Sequence, residues 1–250
     1  MVEGGVPPRR PPDLANLACA RAALVARDPA MAALDAQVPP LAWRTLPAGF
    51  PGLLRLIVGQ QVSTVSADAC WARLQAQVGA ITPGQVTPAA VAALDAAALR
   101  AVGFSGQKAA YAHPLAAAHR AGCADPAALD DAAAAAALTA HRGVVRWTAA
   151  AYLMMSEGRL DAWPGGDIAL QEAIRWIDRL PARPDEAAAC ARAELWRPYR
   201  AVAAHWLWAY YLGVKAGEIA PPPPDPEPPC PPPSSTAPVS RLRRGARGRS

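Results

Sequence analysis

An all-α fold is what this sequence predicts, and three observations predict it. Of the 250 residues 52% are hydrophobic and only 6% aromatic, with alanine dominating the apolar set. Alanine is the strongest intrinsic helix former, while Val, Ile, Phe and Tyr are too sparse for an extensive sheet. Apolar residues also recur at helical spacing, as in Leu53, Leu54, Ile57 and Val58, or Leu170, Ile174 and Ile177. The length allows one or two domains with a real core.

Taken in order, Met1 to Pro12 is Pro/Gly-rich and reads as a disordered tail. Asp13 to Ala36 is helical, interrupted at Asp28-Pro29, where Asp28 suits an N-cap and Pro29 a first helical position. Val38 to Gly52 carries four prolines and reads as loop, with Trp43 packed on the core. An apolar helix follows and breaks at Gly59-Gln60-Gln61-Val62-Ser63, and a second helix is expected from Thr64 to Gln77. Two readings stand for the adjacent glutamines: a solvated helix end, or a polar element that touches DNA bases.

Thr82-Pro83 and Thr87-Pro88 open short helices, one helix ends at Gly103, and another starts after Ser105. Lys108 lies near that start, as a phosphate contact or as an ordinary surface lysine. Asp130 to Ala137 is nearly pure alanine, and Gly143-Val144-Val145-Arg146-Trp147-Thr148-Ala149 reads as a tight turn between two helices. The Pro/Gly loop Asp161 to Asp167 delivers a carboxylate to the start of a helix from Ile168 to Leu180. Pro184 starts another helix to about Trp196, and the last runs from Ala201 to Leu212. From Pro221 the chain reads as a disordered polyproline spacer with an arginine-rich tip, which either lends non-specific attraction to DNA or does nothing.

Bulk properties exclude more than they assign. The net charge of +5 is concentrated in the tails, and Asp13 to Ala220 carries about +1. Any nucleic-acid role therefore needs a local positive face. Five scattered cysteines (Cys19, Cys70, Cys123, Cys190, Cys230) without a CxxC pair argue against a disulfide framework, a zinc site and a four-cysteine iron–sulfur cluster. No apolar run has membrane-spanning length and no signal-peptide h-region is present, so a soluble protein of a reducing cytosol is expected.

On these residues the chain resembles the helix-hairpin-helix DNA glycosylase superfamily, in its 3-methyladenine DNA glycosylase II (alkylbase glycosylase) branch. The similarity runs collinearly from about Leu14 to Leu212, through Ala26-Arg27-Asp28-Pro29, Ile57 to Ser63, Leu99 to Ser105 with Gln107-Lys108, the hairpin, Arg159 to Asp167, and Trp196-Arg197-Pro198-Tyr199-Arg200 with Trp208. It implies two helical subdomains flanking a base-binding cleft, formed by residues 13–220 between tails 1–12 and 221–250. It also implies the shorter form of the branch, without the N-terminal mixed α/β domain of some relatives. The implied partner is damaged double-stranded DNA, met by a monomer with no cofactor and no metal, in the cytoplasm and at the nucleoid if the source is bacterial.

The resemblance also assigns roles. Chemistry on a base requires flipping it into a pocket. The hairpin, with Gly143, Val145, Arg146 and Thr148, would grip a phosphate by backbone N–H groups and a helix N-terminus. Gln61 and Val62 would wedge into the gap, beside Gln60 and Ser63, with Lys108 as a further DNA contact. Asp167 matches the catalytic aspartate that stabilises an oxocarbenium-like sugar, although an N-cap is its simplest local reading. Asp161 reads as a structural cap and loop-former. Trp147 stands where bifunctional relatives place a lysine nucleophile, which implies hydrolysis without lyase action. Trp147, Trp208, Tyr152 and Trp163 are expected as base-pocket aromatics suited to a cationic alkylated purine, with core packing the alternative for each.

One departure bears on function. The family hairpin usually reads Gly-hydrophobic-Gly followed commonly by proline, and here Val145 stands at the second glycine and Arg146 at the proline position. A β-branched residue suits neither positive φ nor close backbone approach, so a weakened phosphate grip is expected, with the chemistry intact. The competing reading is a catalytically weak or silent lesion-binding relative. An alanine-rich interaction scaffold explains neither the glutamine pair nor the carboxylate loop.

Overall fold

The structure, a computed structural model, describes residues 12–39, 42–79 and 85–223. Residues 1–11 and 224–250 of the two tails, including Cys230, and Thr82-Pro83 lie outside the described residues. The described residues form twelve α-helices and no strand: α1 (Leu14–Arg27), α2 (Pro29–Asp35), α3 (Phe50–Gly59), α4 (Thr64–Gly79), α5 (Pro88–Ala92), α6 (Ala96–Ala101), α7 (Gly106–Arg120), α8 (Asp131–Thr139), α9 (Arg146–Met155), α10 (Ile168–Ile177), α11 (Glu186–Ala193) and α12 (Arg200–Ala216). Short 3-10 turns occupy Pro126–Ala128 and Glu194–Trp196. The helix proposed from Pro184 starts instead after Asp185, whose carboxylate caps it by accepting the Ala188 N–H.

Many of these helices are alanine-rich and short, below the length at which propensity alone sustains a helix in water. Their starts are set by side-chain caps. Asp13, Asp28, Thr87, Asp95, Ser105, Asp130, Asp167 and Asp185 each accept a backbone N–H of the first turn, and each such cap is worth about 1 kcal/mol.

Principal helix packing falls into two groups. Helices α3 to α9 pack among themselves, whereas α1 and α2 fold back onto α10, α12 and the 3-10 turn Glu194–Trp196. The N-terminal helices therefore complete the C-terminal half, and the chain crosses between halves at 36–49 and at 156–167. Asp28 shows how the closure is held. It is 3% exposed, caps α2 through the Ala30 N–H, and accepts bonds from Arg192 and from the Trp196 indole, each at 2.7 Å. Burial pushes its pKa up, but the Trp196 and Arg192 hydrogen bonds outweigh this and hold it below the ordinary carboxylate value.

The first crossing is pinned in the same manner. Trp43 stacks on His205 of α12 with centroids 4.0 Å apart, and the Arg44 N–H donates to His205 Nε2 at 3.3 Å. With Nε2 accepting, the proton resides on Nδ1, which donates to the Ala201 carbonyl. Burial pushes this imidazole down to about 4. Leu46 N–H then bonds the Met155 carbonyl at the end of α9, so the crossing is tied to both halves.

Candidate active site

The site forms where three turns meet. Gln60, at the C-cap of α3, donates from one amide nitrogen to the Gly143 carbonyl and to Thr148 Oγ1, both at 2.9 Å. This locks the α3–α4 turn to the hairpin between α8 and α9. Gly143 has φ +90, and a Cβ there would lie 2.3 Å from the Tyr111 ring. Glycine is required twice over, by conformation and by space. Val144 is buried beneath the turn.

The third turn brings in the carboxylate. Asp167 Oδ1 accepts the N–H groups of Ala169 and Leu170 at 2.9 and 3.1 Å, so the residue is the N-cap of α10. Its other oxygen, Oδ2, accepts the Trp147 indole N–H at 2.9 Å. Trp147 belongs to α9 of one half and Asp167 to α10 of the other, and the bond between them crosses the junction. Three N–H donors thus fix a half-buried carboxylate. The loop before it is fixed as well. The buried Gln171 amide donates to the Gly165 carbonyl at 3.1 Å, and a Cβ on Gly165 would lie 2.4 Å from Cys190 Sγ.

Five expected site residues therefore meet by direct bonds: Gln60, Gly143, Thr148, Trp147 and Asp167. Gln61 and Val62 extend from the same turn into solvent, Val62 being 46% exposed. Gln61 has φ +56, which is uncommon for a residue other than glycine. Ser63 accepts the Ser66 N–H at the start of α4 and donates to Ser66 Oγ, so it serves the helix start. Arg146 is at the hairpin's exposed edge and pairs with Glu186 at 3.0 Å.

Other expected site residues have partners within the fold. Thr148 is fully buried and accepts from Gln60, so it holds the hairpin rather than offering itself to DNA. Lys108 donates its ammonium to the Val58 carbonyl at 2.6 Å. It closes the C-terminal end of α3, where exposed carbonyls attract a cation, and burial lowers its pKa. Tyr152 lies five residues after Trp147, about 140° round the helix from it, and is buried among other partners. Its hydroxyl donates to Glu157 and accepts the Gly49 N–H, and its ring borders a cavity of about 210 Å³ with Leu53, His119, Leu138 and His141. Trp163 packs edge-on against Trp196 at 5.6 Å and supports the carboxylate loop beside Gly165. Trp208 is half-buried, edge-on to His205 at 5.6 Å.

Val145 is a correction of a different kind. It has φ −86 and ψ 167 as the N-cap of α9, ordinary extended backbone that a β-branched residue adopts freely. The turn makes no demand for a second left-handed glycine. Asp161 fits its structural reading, accepting from Arg197 and from the backbone and side chain of Arg200. Among the described residues, no group of three or more His, Cys, Asp or Glu is placed to hold a metal ion. None of their helices is long and apolar enough to cross a membrane.

The family model of the HhH-GPD superfamily of base excision DNA repair proteins matches residues 54–198, a span that runs from within α3 through α11 and holds every turn of this junction. The chain belongs to that superfamily. DNA-3-methyladenine glycosylase 1 of Schizosaccharomyces pombe is 29% identical over 161 residues, covering 62% of this chain and 69% of the relative. Two solved structures share the HhH-GPD fold closely. One is a 3-methyladenine DNA glycosylase of S. pombe in complex with abasic DNA, with a TM-score of 0.69 and 25% identity over 81% of this chain and 98% of that one. The other is a DNA-3-methyladenine glycosidase from Bacillus halodurans, with a TM-score of 0.69 and 27% identity over 80% of this chain and 92% of that one.

What reasoning on residue types missed is the second use of Trp147. An indole was expected as a stacking face, and its N–H is what orients Asp167. Glu186 was also unmarked. Its sequence signal is only that of an acid in a helix's first turn, and its position beside the hairpin is a product of the fold.

Proposed function

We propose that the protein is a monofunctional DNA glycosylase that hydrolyses the N-glycosidic bond of N3- or N7-alkylated purines in duplex DNA. The observation that carries this is the Trp147–Asp167 bond, which holds a carboxylate at the junction of two helical halves. Breaking the bond builds positive charge on the deoxyribose, and a fixed carboxylate stabilises it or orients the attacking water. Because Asp167 is oriented before substrate arrives, little reorganisation is needed in the transition state.

Trp147 supplies no amine, so no Schiff base with the sugar forms at that position. Its ring, together with Trp208, offers π-faces suited to a cationic alkylated purine. Such a base is already an activated leaving group and needs no general acid. In this reading Gln61 and Val62 occupy the gap left by the flipped nucleotide, and the N-terminus of α9, which has no side-chain cap, holds a phosphate together with Arg146. We take residues 13–220 as the working unit, acting as a monomer in the cytoplasm and, if the source is bacterial, at the nucleoid.

The test is incubation with a methylated duplex, followed by chromatography of released bases and electrophoresis of the strands. Free 3-methyladenine or 7-methylguanine with strands intact until alkali is the expected result. Release with prompt strand cleavage would overturn the monofunctional assignment. DNA binding with no release above background would favour the silent lesion-binder, which loses one support because Val145 imposes no backbone strain on the hairpin.

A further inference from the structure

We propose that Glu186 stands in for a DNA phosphate: its carboxylate holds Arg146 in the free protein and is exchanged for a phosphate oxygen when duplex binds. The inference rests on the glycosylase reading and adds to it a residue that sets how tightly the hairpin engages DNA.

Among the described residues, Arg146 contrasts with the arginines that build the fold. Arg159, Arg192 and Arg200 have side chains 2%, 20% and 15% exposed. Each is committed to several acceptors: Arg159 to Asp131 and two carbonyls, Arg192 to Asp28 and Asp178, Arg200 to Asp161 and Glu194. These are parts of the fold. Arg146 is 85% exposed and meets Glu186, itself 47% exposed, through one nitrogen–oxygen pair at 3.0 Å. A pair this open contributes little to folding, and an exposed guanidinium retains the fork geometry that matches a phosphate.

Position supplies the rest. Arg146 is the first residue of α9, directly after Val145, which has no side-chain oxygen to cap the helix. The carboxylate of Glu186 therefore neutralises the guanidinium carried by the first residue of an uncapped helix. It also borders the catalytic loop, since a Cβ on Gly166 would lie 3.5 Å from Glu186 Oε2, one residue before Asp167. Glu186 stands in the first turn of its own helix, where negative charge is favoured by the helix dipole. That favourable field remains once Arg146 leaves. DNA thus meets a site whose anion position is already filled, and binding includes the displacement of one carboxylate.

The experiment measures binding of the full chain to a labelled duplex carrying a tetrahydrofuran abasic-site analogue across a salt series. Wild type, Glu186→Gln, Arg146→Gln and the double variant are compared. Exchange predicts about two- to five-fold tighter binding for Glu186→Gln. Arg146→Gln binds more weakly, and its slope of log affinity against log salt is smaller by about 0.9, one phosphate's worth. In the Arg146→Gln background the Glu186→Gln change shifts affinity by less than about 1.5-fold, because the two residues act as one unit. An equal gain in both backgrounds would show general charge repulsion and overturn the exchange, as would an unchanged salt slope in Arg146→Gln. Failure of the wild type to bind the duplex would instead overturn the glycosylase reading.

Discussion

The turn at 59–63 and the hairpin at 141–146 are bonded to each other through Gln60, yet they hold their shapes by different means. The first keeps the residues expected of it and places a glutamine, Gln61, at φ +56. The second carries Val145 at the position where the resemblance led to a glycine being expected, and that valine sits in relaxed extended backbone. Motif identity and backbone demand are therefore separate properties. Strain is found where a side chain is presented to solvent at the junction, and it is absent where a substitution had suggested it. The hairpin's single hard requirement is Gly143, fixed by φ +90 and by the ring of Tyr111.

The largest effect expected from this contrast is at Gly143. Gly143→Ala adds a Cβ that meets the Tyr111 ring in a left-handed conformation, and should cost about 4 kcal/mol from strain and overpacking together. Urea unfolding measures this, and a loss under 1 kcal/mol would mean that the hairpin relaxes easily. Gln60→Ala comes next, because it removes the bonds to Gly143 and Thr148 and leaves Thr148 Oγ1 buried. A loss of about 1–3 kcal/mol is expected, together with weaker DNA binding. Unaltered stability would deny that the two turns are locked.

Gln61→Gly should work in the opposite sense. Relief of the left-handed backbone should stabilise the fold by roughly 0.5–1 kcal/mol, while base release falls because the side chain at the gap is gone. Stability gained with activity retained would remove Gln61 from the DNA interface. The smallest effect belongs to Val145→Gly, which should change stability by less than about 0.5 kcal/mol and tighten DNA binding by no more than about three-fold. A ten-fold gain would show that the valine side chain, rather than the backbone, holds phosphate away.

Much of the architecture was legible in the residues because its causes are local. Asp28-Pro29, Thr87-Pro88, Ser105 and Asp167 mark helix starts through capping, and each was found where expected. The start at Thr64 and the break at Gln60-Gln61 also held. The helix proposed to reach Leu180 ends at Ile177, and the last helix continues past Leu212 to Ala216, closed by Gly217 at φ +76.

Side-chain partners were less legible, since they depend on elements far apart in sequence. Nothing near Lys108 says that its ammonium will close α3, and nothing near Thr148 says that Gln60 will bury it. Tyr152 carried the right chemistry for a pocket at a helical offset that turns it into the core. For Asp167 the two readings proved compatible, because one oxygen caps α10 and the other is held by Trp147.

The central claim is that Asp167, oriented by Trp147, carries the glycosidic cleavage. The most direct test is the single-turnover rate of base release by Asp167→Asn from methylated duplex, with binding to an abasic-site analogue measured in parallel. Asparagine can still accept the α10 N–H bonds and cap the helix, so fold and binding should persist. The rate should fall by about 10²-fold or more with affinity within a few-fold of wild type; a rate within a few-fold of wild type would show that Asp167 does not carry the cleavage.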